Sequence, residues 1–141
     1  MIKKIDHLGI AVNDLDDALR MYKRAYNLEP IKIETLKDKK VRIAFIPLGE
    51  VLIELLEPTE SGKGRIGIFL KENGEGFHHI ALRVEDIETA TDRLKKLKIP
   101  IDKAPRAGAH ESKIVFIDPK FTLNVLTELV EREGEVIGND L

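Results

Sequence analysis

Two histidines and two glutamates occupy matching positions in two halves of the chain. His7 and His79 each lie in an alternating, strand-like segment, and Glu54 and Glu128 each interrupt a strongly apolar one. A carboxylate buried on a strand face is costly unless a partner compensates its charge. Two imidazoles and two carboxylates form a ligand set that Co²⁺, Zn²⁺, Ni²⁺ and Mn²⁺ accept. The sequence therefore predicts that these four residues bind a divalent metal ion.

The matching positions arise from an internal repeat. Three blocks recur in the same order at offsets of 72, 71 and 74 residues, pairing 6–12 with 78–84, 43–46 with 114–117, and 51–57 with 125–131. The drift in offset indicates a longer turn in the second copy, near Asp118 and Pro119. Three blocks in one order indicate a duplicated module.

Each copy is predicted to fold as a βαβββ module, from alternating apolar positions in the strands and three- and four-residue spacing in the helices. Asp14 and Asp86 are predicted helix N-caps. The first copy is predicted to have strands near 5–12, 31–36, 41–47 and 50–57 and a helix from Asp14, with Gly49 in a tight turn. The second is predicted to have strands near 77–84, 101–106, 113–118 and 123–131 and a helix near 86–97. We predict one α+β domain over 1–131, with modules at 1–57 and 77–131, a linker at 58–76 holding a short helix near 66–71, and a polar tail at 132–141.

Two further histidines are weaker candidates. His78 precedes His79 in the same strand, so its side chain is expected on the opposite face and not at the metal. His110 lies in a glycine-containing loop, where a substrate contact and a surface position are equally open.

Composition excludes several classes of function. The chain has 141 residues, no cysteine and a formal charge of −2, so thiolate chemistry and disulfides are ruled out and nucleic-acid binding is not indicated. No apolar stretch approaches membrane-spanning length, and the N-terminus lacks a signal-type apolar region, which predicts a cytoplasmic protein. The high content of charged residues, at 34%, and the absence of glutamine and tryptophan favour a thermophilic source.

These residues carry a family resemblance. The paired modules resemble the vicinal oxygen chelate superfamily and, within it, the methylmalonyl-CoA epimerase family. The similarity covers roughly 3–131 and rests on motifs at 6–12, 53–58, 73–84, 105–110 and 125–130. It implies a curved mixed sheet around a divalent metal ion, with Co²⁺ expected first and Zn²⁺, Ni²⁺ or Mn²⁺ as alternatives. It also implies interconversion of (2R)- and (2S)-methylmalonyl-CoA through an enolate.

The resemblance also implies that Glu128 is one of two catalytic bases, since inversion at carbon needs a base on each face. Some members carry an acid where this chain has Val41-Arg42-Ile43, so the second base is unassigned. A water molecule, Glu54 or a residue near His110 are the alternatives.

Other functions and partners are also open at this stage. A glyoxalase I-type lactoylglutathione lyase and a metal-free small-molecule binding module are the alternatives, and an extradiol dioxygenase fits less well. Acyl-CoA is the expected small-molecule partner, with Lys63, Arg65 and Lys113 as phosphate-binding candidates by charge alone. An open sheet edge favours a homodimer.

Overall fold

A computed structural model describes residues 1–134 as an α+β structure. In these residues the elements are β1 (Ile2–Ala11), α1 (Leu15–Tyr26), β2 (Lys32–Leu36), β3 (Val41–Leu48), β4 (Val51–Pro58), α2 (Gly64–Asn73), β5 (Gly76–Val84), α3 (Ile87–Lys96), β6 (Arg106–Ala107), β7 (Lys113–Ile117) and β8 (Thr127–Glu131). A 3₁₀ turn at Pro119–Phe121 precedes β8. Among these helices, none combines the length and apolar character needed to span a bilayer.

The chain divides into two compact units, and the division falls inside β1 and β5. The continuous unit contains Leu8–His78. The segmented unit combines Met1–His7 with the described chain from His79 onward. His7 of the first sequence copy therefore belongs to the same unit as His79 of the second.

The continuous unit orders its strands β2-β3-β4-β1, with β2, β3 and β4 antiparallel. Gly49 has a φ of +62° in the two-residue connection between β3 and β4, where a left-handed backbone favours glycine. Helix α1 begins after Asp14, whose side chain accepts a hydrogen bond from the backbone N–H of Asp17. Its apolar face packs on the sheet, with Leu15, Tyr22, Ala44, Ile46 and Leu55 buried together. These elements confirm the first βαβββ pattern.

The segmented unit orders its strands β1-β5-β8-β7-β6. Strand β8 is parallel to β5 and antiparallel to β7. Asp86 caps α3 by accepting from the N–H of Thr89, as the sequence predicts. Ile87, Val84 and Val115 lie in the core between α3 and the strands. The second copy thus repeats the helix and the main strand pairing of the first.

Two strands of the second copy differ from the prediction. A strand near 101–106 is wrong, because Ile101 forms only an isolated bridge with Ile117 and pairing resumes in the two-residue β6. Between them, the Asp102 carboxylate accepts the N–H of Phe116. Pro105 has no N–H to donate to a ladder.

The last strand begins at Thr127 and not near 123. Leu123 and Asn124 have φ values of +58° and +64°, which are incompatible with an extended strand. The predicted linker contains α2, which is longer than the helix expected at 66–71. Part of the predicted polar tail is ordered against the fold, since the Arg132 side chain is buried. The remainder of that tail, 135–141, lies outside the described residues.

Candidate metal centre

Three of the four predicted ligands converge in the segmented unit. His7 lies on β1, His79 on β5 and Glu128 on β8, and their side chains are only 3–7% exposed. The Nε2 atoms of His7 and His79 are 3.0 Å apart. The Glu128 oxygens lie 3.5 Å from His7 Nε2 and 3.7 Å from His79 Nε2. The parallel pairing of β5 with β8 positions this cluster, because it sets Glu128 opposite Ala81, two residues from His79.

These distances fit a shared metal ion. Two ligand atoms at about 2.1 Å from one ion lie about 3.0 Å apart at right angles and about 3.4 Å apart at tetrahedral angles. The nitrogen–nitrogen separation matches the first value, and the nitrogen–oxygen separations are within a few tenths of an ångström of the second. Imidazole nitrogen and carboxylate oxygen also suit borderline divalent ions.

Asp6 forms a buried charged network behind His7. Its carboxylate accepts from His7 Nδ1 at 2.7 Å, from Arg83 Nε at 2.9 Å and from Arg132 Nη2 at 3.1 Å. Burial alone would raise the pKa of Asp6. The hydrogen bond from His7 and the positive charge of the two arginines outweigh burial and hold this pKa well below its usual range. Asp6 is therefore an ionised acceptor, and His7 Nδ1 is its donor.

Sequence reasoning missed this network. Because alternation places neighbouring side chains of a strand on opposite faces, it does not predict the contact of Asp6 with His7. Arg132 lies at the start of the predicted polar tail. A signal was present, because Arg83 interrupts the apolar run Ile80–Val84 and, like Asp6, is buried. Two opposite charges in neighbouring buried strands predict a mutual ion pair.

Phe116 was also missed. Its ring meets the ring of His79 edge to face, with centroids 5.5 Å apart. Phe116 is opposite Glu128 in the β7–β8 register. It therefore lies beside two of the three converging residues.

Glu54 belongs to the continuous unit. It is 3% exposed on β4, opposite Phe45 of β3. Its neighbours Ile53 and Leu55 pack in the core under α1, so alternation places Glu54 on the sheet face that α1 does not cover. Its buried position agrees with the sequence analysis, and its role as fourth ligand stays a prediction.

The other two histidines lie on β5 and in the loop between β6 and β7. His78 is buried against Phe69 of α2, with ring centroids 4.8 Å apart. Burial lowers the pKa of His78 to about 4, and the Arg65 charge contributes in the same direction. His110 lies in the loop between β6 and β7, where both His110 and Glu111 adopt positive φ. A substrate contact of His110 stays a prediction.

The basic residues suggested for phosphate binding lie at the start of α2 and on β7. Lys63 and Arg65 lie at the start of α2 in the continuous unit. Lys113 on β7 is 62% exposed and forms an ion pair with Glu131. Their role in binding a CoA group stays a prediction.

Comparison with known proteins assigns the family. Residues 6–116 match the model of the Glyoxalase/Bleomycin resistance protein/Dioxygenase superfamily. The chain belongs to that superfamily. It is 36% identical to an ethylmalonyl-CoA/methylmalonyl-CoA epimerase of Cereibacter sphaeroides, over 92% of this chain and 98% of the relative.

Solved structures are similar over nearly the whole chain. A variant methylmalonyl-CoA epimerase of Streptomyces coelicolor, in complex with 2-nitronate-propionyl-CoA, gives a TM-score of 0.90 at 33% identity, covering 95% of this chain and all of that one. A methylmalonyl-CoA epimerase in complex with methylmalonyl-CoA and NH₄⁺ gives 0.88 at 32% identity, covering 96% and 98%. These matches confirm the predicted vicinal oxygen chelate fold and the resemblance to the epimerases.

Proposed function

We propose that this protein is a metal-dependent methylmalonyl-CoA epimerase, which interconverts the (2R) and (2S) forms of its substrate. The observation that carries the proposal is the convergence of two imidazole nitrogens and one carboxylate at buried positions of the segmented unit. Relatives that match almost the full chain are epimerases of this substrate. This support favours epimerisation over a glyoxalase I-type lyase and over a metal-free binding module.

His7, His79 and Glu128 are the residues that would hold the ion, with Glu54 as the proposed fourth ligand. A divalent ion bound there supplies Lewis-acid stabilisation of the negative charge that develops on the thioester oxygen. Imidazole and carboxylate donors are compatible with several ions, and we propose Co²⁺ first, with Zn²⁺, Ni²⁺ and Mn²⁺ as alternatives.

Glu128 is the proposed base. During the reaction the bond between C2 and its hydrogen breaks, the electron pair moves into the thioester carbonyl, and the proton passes to a Glu128 carboxylate oxygen. Each Glu128 oxygen faces one imidazole, with Oε1 near His7 Nε2 and Oε2 near His79 Nε2. The two oxygens together offer about four acceptor sites, so the carboxylate can ligate an ion and still take up the proton. The second acid–base group delivers a proton to the opposite face of C2, which completes inversion. Glu128 then loses its proton to solvent, and the second group takes one up, which restores both.

The second base is one of the alternatives from the sequence: a water molecule, Glu54 or a residue of the loop at His110.

We also retain as proposals an acyl-CoA site involving Lys63, Arg65 or Lys113, a homodimer and a cytoplasmic location. Light scattering on the purified protein at several concentrations tests the dimer directly.

Proton NMR of methylmalonyl-CoA in D₂O tests the activity. The metal-loaded protein should introduce deuterium at C2, EDTA should abolish this exchange, and added Co²⁺ should restore it. The Glu128→Gln variant is the matched control, because an amide retains a ligating oxygen but does not take up the proton. Absence of exchange with fully metallated protein would contradict the proposal, and turnover of a glutathione hemithioacetal by the same sample would favour the lyase.

A further inference from the structure

The Asp6 carboxylate accepts hydrogen bonds on both of its oxygens. Oδ1 accepts from His7 Nδ1 and from Arg132 Nη2, and Oδ2 accepts from Arg83 Nε. All four side chains are buried, at 7% exposure or less. Asp6 is therefore held in one place by two guanidinium groups, and it presents a fixed acceptor to His7.

Arg83 is itself anchored by the chain that follows β8. Its Nη1 donates to the carbonyl oxygen of Gly134 at 2.6 Å, and Arg132 precedes that residue by two positions. The segment after the last strand thus completes the network from one side. Each guanidinium forms a charge-assisted bond with the same carboxylate, which is the stronger class of hydrogen bond.

The fixed acceptor determines the tautomer of His7. An ionised carboxylate only accepts hydrogen bonds, so neutral His7 carries its proton on Nδ1 and its lone pair on Nε2. Nε2 is the nitrogen that lies 3.0 Å from His79 Nε2 and 3.5 Å from Glu128. The lone pair therefore points toward the other two converging residues before any ion arrives.

Only one copy of the repeat has a carboxylate immediately before its proposed ligand histidine. The residue aligned with Asp6 is His78, which packs against Phe69. The duplicated pattern therefore supplies two ligand histidines with different preceding residues, and a carboxylate precedes only His7.

We propose that Asp6, held by Arg83 and Arg132, is a positioning residue that fixes the tautomer and ring orientation of His7 and thereby raises its affinity for the metal ion. This inference rests on the metal site of the proposed function. Partners of this kind behind a ligating histidine typically contribute about 10- to 100-fold to metal affinity.

The test measures Co²⁺ affinity by competition with a chromophoric chelator, in the absence of substrate. Asp6→Asn retains the shape of the side chain but loses the charge, and its affinity should fall by about 10- to 100-fold. Asp86→Asn is the matched control, because it makes the same chemical change at the cap of α3 in the same unit. Asparagine is as good a cap as aspartate, so this control should leave the affinity unchanged.

Nitrogen-15 NMR of the histidine rings reports the tautomer of His7, which would not change if Asp6 only stabilised the fold. In the parent protein His7 should show the Nδ1-protonated tautomer, and in Asp6→Asn it should show a mixture. If Asp6→Asn does not fold, Arg132→Met replaces it as the test variant, because it leaves the Asp6–Arg83 ion pair intact. Arg132→Met should weaken Co²⁺ binding by a smaller factor than Asp6→Asn.

Two results would overturn the inference, and they differ. A folded Asp6→Asn or Arg132→Met variant with parental affinity and the parental His7 tautomer would remove the role of Asp6 alone. A parent protein that does not bind Co²⁺ or the other divalent ions would overturn the metal site itself and this role with it.

Discussion

The two units share one structural pattern but differ in what they bury. In the continuous unit Phe45 lies opposite Glu54 across β3 and β4, and in the segmented unit Phe116 lies opposite Glu128 across β7 and β8. Among the described residues, the buried acidic, basic and histidine side chains of the continuous unit are Glu54 and His78. Those of the segmented unit are Asp6, His7, His79, Arg83, Glu128 and Arg132. The two units therefore share the repeated scaffold, and the buried charged and histidine side chains lie mainly in the segmented unit.

The largest difference is expected between the two glutamates. Glu128→Gln should lower kcat by about 10³-fold or more, because an amide cannot act as a general base. Glu54→Gln should lower Co²⁺ affinity and activity by a smaller factor, because an amide oxygen can still act as a ligand. Initial rates of epimerisation at saturating Co²⁺ compare kcat in the two variants, and a Co²⁺ titration measures the affinity of Glu54→Gln. Equal losses in the two variants would show that the copies contribute equally to catalysis.

Asp6 and His78 occupy matching positions of the repeat, and the pKa of each is lowered. The pKa of His78 falls from 6.5 to about 4 because it is buried and near Arg65. Its contribution to stability is thus fully present above pH 6.5 and is lost as the pH falls toward 4. The loss between these two pH values is about 3 kcal/mol in the free energy of unfolding. The contribution of Asp6 is lost only at more acidic pH, since an aspartate begins to bind protons in the unfolded chain near pH 3.8.

Urea unfolding between pH 7.5 and 4.5, with EDTA present, tests this separation. The parent protein should lose more stability over that range than His78→Asn, which lacks the titrating group. Parallel curves for the two proteins would contradict the assignment of this pH dependence to the continuous unit.

The paired phenylalanines separate a packing role from a role at the metal. Phe45→Leu and Phe116→Leu should each cost about 1–2 kcal/mol in the free energy of unfolding, because each leaves a small cavity. Phe116→Leu should also weaken Co²⁺ binding, since its ring contacts His79. Calorimetric titration of Co²⁺ into both variants measures the difference, and unchanged affinity in Phe116→Leu would limit this residue to packing.

Much of the fold was predictable because its signals are local. Asp14 and Asp86 each begin a helix, and alternation correctly separated Glu54 from Leu55. The repeat also predicted a cluster of two histidines and two glutamates, and three of the four, His7, His79 and Glu128, lie together in the segmented unit. The experimental structures of related epimerases share this fold.

The remaining features depend on contacts that alternation and spacing do not encode. The ion pairs of Asp6 join residues 77 and 126 positions apart. The late start of β8 depends on two consecutive left-handed residues, Leu123 and Asn124, and leucine gives no indication of that conformation. The irregular strand after Ile101 depends on the Asp102 side chain replacing a backbone partner of Phe116.

The smallest effects are expected at the two helix caps, where the units should behave alike. Asp14 accepts from Asp17 N–H at 2.9 Å and Asp86 from Thr89 N–H at 3.1 Å, both at exposed positions. Replacement of either by alanine should cost about 1 kcal/mol in the free energy of unfolding. Thermal unfolding checks this value, and a Co²⁺ titration should show parental affinity in both variants. If Asp86→Ala weakened Co²⁺ binding while Asp14→Ala did not, the metal centre would depend on the position of α3, and the difference between the units would extend beyond their buried polar residues.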